Sequence, residues 1–116
     1  MSDEELRFTK EDLGRLQIDA VKWELEAIEH MKERRAEQGV RCPTEEEATE
    51  AALDPDRIVR LAAEGRSLKV VGRAQSSDRL IKVWLWPLDV SIGEWYGGSA
   101  VDANESDHRR YHEAEG

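Results

Sequence analysis

Five cations, Arg66, Lys69, Arg73, Arg79 and Lys82, fall within one short stretch in the middle of the chain. A guanidinium binds phosphate through a planar fork and keeps its proton at any physiological pH. Arg73 and Arg79, flanking a turn at residues 75–78, are therefore candidate phosphate ligands, with Arg66, Lys69 and Lys82 on the same runs. Near the C terminus His108, Tyr111 and His112 enclose Arg109 and Arg110. On a helix, His108 shares a face with residues three and four further on, so His108 and Tyr111 are candidates for moving protons beside a held phosphate. The plainer reading stands beside this one: the cations are solvent-facing sheet residues, Tyr111 is an aromatic anchor packed on the sheet, and the histidines are exposed.

Other chemistries find less support. His108 and His112 have metal-ligand spacing, but no HExxH, CxxC or third spaced ligand accompanies them, and no metal is expected. A glycine-rich phosphate loop is absent, so no cofactor is expected either. Cys42 precedes Pro43 with only Arg41 as a nearby cation, which suits a plain thiol better than a nucleophile. His30, next to Met31, reads as a surface or boundary histidine. Trp84, Trp86, Trp95 and Tyr96 could stack bases beside the basic residues. A thin core would claim Trp84 and Trp95, leaving Trp86, beside Pro87 at a strand end, as the exposed one.

These residues need elements to hold them. Trp23, Ala27, Ile28, Met31, Arg34 and Arg35 have helical spacing opposite Glu24, Glu26, Glu29, Glu33 and Glu37, and Gly39 supplies a left-handed stop, so a helix is expected over 23–38. Thr44 with Glu47 forms a capping box for a second helix ending at Leu53, before Asp54-Pro55. Three β-rich runs follow at 57–62, 66–74 and 79–86, joined by short turns as an antiparallel meander. In the third run Ile81, Val83 and Leu85 share one side with Arg79, while Leu80, Lys82, Trp84 and Trp86 share the other. Residues 87–93 read as a loop, 94–99 as a fourth strand, and Asn104 with Asp107 as the cap of a last helix. Residues 16–23 are too mixed to decide between strand and helix. The expected fold is α+β: an antiparallel three- to four-stranded sheet packed by two N-terminal helices and a C-terminal helix.

At 116 residues there is room for one core, placed at 18–113 behind an acidic N-terminal extension at 1–17 that reads as a short helix capped at Ser2 (with Glu5) or Thr9 (with Asp12). The chain carries net charge -9, which disfavours wide, non-specific wrapping of nucleic acid. The charge is uneven, however: residues 1–53 hold 15 acids and 8 bases, residues 54–96 hold 6 and 7, and residues 97–116 hold 5 and 2. Only the middle third is a candidate anion-binding surface. With one cysteine, no membrane-length apolar run and no signal-peptide pattern, the chain reads as a cytoplasmic protein.

The succession of Trp23 to Gly39-Val40, Thr44-Glu45-Glu46-Glu47, Asp54-Pro55, Gly72-Arg73, Arg79-Leu80, Ser99-Ala100, Ala103 and Arg109-Arg110-Tyr111 resembles the BrnT toxin family, over about residues 20–113. That family belongs to the RelE-like superfamily of small toxin ribonucleases from type II toxin–antitoxin systems. The resemblance implies a bacterial metal-independent endoribonuclease acting on RNA and neutralised by a cognate antitoxin protein. Arg73, Arg79, His108 and Tyr111 would be its catalytic residues, and Tyr111 is the acid–base candidate that the family pattern supports. Two departures bear on activity. Family sequences typically have an arginine directly after the Ser-Ala pair, where this chain has Val101 and then Asp102, and Lys-His-Gly-Val or Arg-His-Gly-Val where it has Glu37-Gln38-Gly39-Val40. The alternative is an inactive member of the same fold that binds a basic protein partner through the acidic face of its first helix.

Overall fold

The computed structural model describes residues 7–115. In chain order the elements are β1 (Ala20–Lys22), α1 (Leu25–Gln38), α2 (Glu45–Leu53), β2 (Ile58–Ala62), β3 (Ser67–Ala74), β4 (Arg79–Asp89), β5 (Glu94–Asp102) and α3 (Glu105–Glu115), with single 3-10 turns at Asp12–Gly14, Ala63–Gly65 and Val90–Ile92.

The helix ends are set by local chemistry. Gly39, at φ 69°, closes α1, and Val40 N–H returns to the Arg35 carbonyl. Thr44 and Glu47 make both arms of a capping box at 3.0 Å each, and Asn104 and Asp107 reciprocate in the same way at the start of α3. The cap expected at Thr9 is corrected: Thr9 N–H donates to Asp12 Oδ2 at 2.7 Å, but the Thr9 hydroxyl caps no helical N–H, and only a single 3-10 turn without a side-chain cap follows, at Asp12–Gly14. The alternative cap at Ser2 lies outside the described residues.

The sheet order is β1-β5-β4-β3-β2. Strands β2 to β5 form the expected antiparallel meander. The expectation of a purely antiparallel sheet of three or four strands is corrected: the sheet has five strands and is mixed, because β1 pairs parallel to β5, Ala20 opposite Glu94 and Lys22 opposite Tyr96. A three-residue strand is too short to show an alternating pattern, and parallel pairing with the far end of the chain leaves no local turn signal. Strand β4 also runs through Pro87 to Asp89, where a loop was expected. The register shifts between Pro87 and Asp89, so the missing N–H falls at an irregularity of the ladder.

Alternation divides the sheet into two faces. Leu68, Val70, Ile81, Val83, Leu85, Trp95 and Ala100 bury on one, against Met31 of α1 and Ala48, Ala51 and Ala52 of α2. On the other, Val71 and Leu80 pack with Tyr111 of α3, flanked by Ile58 and Ala103. Residues 8–17 do not stand apart from this body. Phe8 is buried, with its ring 5.6 Å from that of Trp95 and its N–H 2.7 Å from the Gly65 carbonyl. Trp95 Nε1 donates to the Gln17 carbonyl at 2.8 Å. Among the described residues no helix is long and apolar enough to cross a membrane.

Candidate functional site

The four residues singled out as catalytic come together as two pairs and not as one constellation. Arg73 and Arg79 project to opposite faces, since Arg73 lies opposite Leu80 and Arg79 opposite Ala74. Arg73 places its guanidinium 5.5 Å from the centre of the Tyr111 ring, and its Nη1 donates to Asp78 at 3.1 Å (Oδ1) and 3.2 Å (carbonyl). Tyr111 is 2% exposed and its hydroxyl donates to Asp54 Oδ2 at 2.6 Å. Asp54 also accepts from the N–H groups of Arg73 and Asp56. Burial alone would raise the Asp54 carboxyl pKa, but these three donors outweigh it and hold the group below the usual carboxylate value.

Arg79 and His108 form the second pair, in a groove of about 340 Å³ that Asp78 and Asp102 also line. Both residues are exposed. Asp102 stands 3.8 Å from Arg79 and is held more closely by Arg41, which bridges it to Glu47 with hydrogen bonds of 2.5–3.2 Å. The Arg41 hydrogen bond holds the Glu47 pKa down at about 2, against the opposing push of burial.

A different set of residues converges on the face that α3 covers only in part. The register places Arg60 opposite Lys69, Lys69 opposite Trp84, and Trp84 opposite Ser99. These four side chains form one row across four strands, about 14 Å long at roughly 4.8 Å per strand. In the adjoining row Lys82 is tied to Asp107 of α3 at 2.9 Å, with its Nζ 5.8 Å from the Trp84 ring centre. Lys69 is half-buried, and among the described residues no carboxylate forms an ion pair with it, with Arg60 or with Arg110. Its pKa is lowered by burial first and then by the charges of Arg60 and Lys82, with Arg110 adding to them against Asp107. Positive charge here is under-compensated, so an arriving anion is favoured.

Trp86 is 42% exposed, as its place beside Pro87 predicts, whereas Trp95 is fully buried. Trp84 is half-buried, in the row just described. Arg60 is not among the residues singled out by sequence, and Arg110 stands there only between the histidines. The signal for Arg60 was its place between Val59 and Leu61, where alternation turns it to the outer face, and for Arg110 its position one residue before the buried Tyr111.

Fold and face together define an α+β protein with a mixed five-stranded sheet, one face of which presents cations and indoles beyond its covering helix. No family model, curated protein or solved structure matches the chain.

Proposed function

We propose that the protein is a BrnT-like toxin of the RelE-like superfamily, a metal-independent endoribonuclease that holds single-stranded RNA across the half-open sheet face and is neutralised by a cognate antitoxin. The observation that carries the reading is the Arg60, Lys69, Trp84, Ser99 row: cations without carboxylate partners among the described residues, beside an indole, in a chain that is otherwise strongly acidic. Such a row offers phosphate contacts and a stacking surface at once. Val101, where the family typically has arginine, pairs with Lys82 and belongs to the same face. That departure weakens the phosphate grip expected of the family without removing it.

In the reaction the RNA 2′-hydroxyl loses its proton and attacks the adjacent phosphorus. The bond from phosphorus to the 5′ oxygen breaks, and that oxygen takes up a proton, leaving a 2′,3′-cyclic phosphate and a 5′-hydroxyl. Where the RNA strand leaves this face over the start of β4 it reaches the groove that Arg79 and His108 both line, and there Arg79 can neutralise the phosphorane and His108 can move the protons. The Tyr111 hydroxyl is committed to Asp54, so its role in this reading is to seat α3. Incubating the purified protein with a labelled single-stranded RNA in EDTA should release cyclic-phosphate ends, at least tenfold more slowly for Lys69→Ala and His108→Ala. No cleavage, together with unimpaired bacterial growth on overexpression, would sink the reading.

A second reading, an inactive member acting as an interaction module, draws on the internal commitments of Arg73 and Tyr111 and on the carboxylates that share the Arg79 groove. Its surface is the exposed α1 set Glu26, Glu29, Glu33 and Glu37, suited to a basic partner. A captured partner lost on reversing those glutamates to lysine, with Arg73→Ala silent, favours it.

A further inference from the structure

Arg35 is a buried cation on α1. It lies on the inner side of α1, one turn beyond Met31, and is 6% exposed. Its Nη1 donates to the Ala100 carbonyl at 2.8 Å, on the stretch of β5 beyond its pairing with β1. Its Nε is buried with no hydrogen-bond partner, and among the described residues no carboxylate pairs with it. A guanidinium cannot shed its proton to escape burial, so a buried arginine without a counter-ion favours the approach of an anion.

The surroundings say which anion. Arg35 lines a cavity of about 420 Å³ with Arg34, His30, Gln38, Ser99 and two indoles, Trp84 and Trp86. Among the described residues no Asp or Glu lines it, in a chain of net charge -9. Arg34 has, among the described residues, only a long contact of 3.9 Å with the exposed Glu37. The Trp86 ring lies over Gly98, where an added Cβ would meet the indole at 2.7 Å. A bare inorganic anion would use the arginines and leave the indoles idle, and an aliphatic acid would do the same. A planar ring carrying a phosphate uses both.

We propose that this cavity binds one nucleotide, its phosphate on Arg34 and Arg35 with the Ser99 hydroxyl beside it, and its base stacked on Trp86. The inference deepens the RNA reading, because Trp84 and Ser99 belong both to this cavity and to the row that leads to Lys69.

The test is titration of the full-length protein with AMP and UMP, followed by tryptophan fluorescence, against adenosine, uridine and inorganic phosphate as separate probes. The expected result is binding of both nucleotides at least tenfold tighter than of either nucleoside or of phosphate, weakened at least fivefold by Trp86→Ala and by Arg34→Ala. Both altered residues are exposed, so these variants should fold. Arg35→Met, followed by calorimetry with its melting point monitored, should abolish binding. A 5′-phosphorylated trinucleotide that binds more tightly than UMP assigns the pocket to a strand, and equal binding assigns it to free nucleotide. Nucleotides that bind no better than phosphate, or binding unaltered in both surface variants, would overturn the proposal. Nucleotide binding without RNA cleavage would leave the pocket standing and remove the nuclease.

Discussion

Tyr111 and Asp54 join residues far apart in sequence through one 2.6 Å hydrogen bond, made where both side chains are buried. Removing the hydroxyl leaves the Asp54 carboxylate one donor short in a buried setting, a loss of roughly 1–3 kcal/mol. Tyr111→Phe should therefore lower the thermal midpoint while leaving RNA binding and cleavage at the wild-type level once folding is complete. Chemical denaturation and a cleavage assay on the same preparation separate the possibilities. Unaltered stability with lost cleavage would return the Tyr111 hydroxyl to the chemistry. Lys82 and Asp107 repeat the logic one turn earlier in α3, with an ion pair in place of a neutral donor.

Helix α2 lies so close to β3 that a Cβ on Gly72 would overlap the Ala51 carbonyl, with the Asp54 Cβ at 3.1 Å. Gly72→Ala must push α2 off the sheet, at a cost of about 3 kcal/mol of the overpacking kind. Gly14→Ala, which meets nothing within 4 Å, should be close to neutral by the same denaturation measurement. Much of this scale could be read from residues alone. The stop at Gly39, the box at Thr44 and Glu47, the pair Asn104 and Asp107, and the core side of β4 all follow from local spacing. What escaped was non-local. Three residues of β1 pair with a strand more than seventy positions later, and no period exists in so short a run. The site divided along the same line. Arg73 and Arg79 are near in sequence yet face opposite ways, whereas Arg60, Lys69, Trp84 and Ser99 come from four strands and meet only through register. Arg35 was visible as a charge on an apolar helix side, but its lack of a counter-ion emerges only from packing.

Across the whole molecule the net charge of -9 opposes any polyanion, and the half-open sheet face works against that background. Long-range repulsion is screened by salt, while contacts to phosphate weaken with it, so the salt dependence of binding separates the two. The claim that this face holds a single strand is tested most directly by the affinity for a single-stranded oligoribonucleotide, measured by fluorescence anisotropy across a salt series. Wild type should bind with a negative slope of log K against log salt. The combined change Arg60→Ala, Lys69→Ala and Arg110→Ala should make that slope shallower by about 2 and weaken binding at low salt. An unchanged slope and affinity in that variant, or no binding by wild type at any salt concentration, would contradict the account.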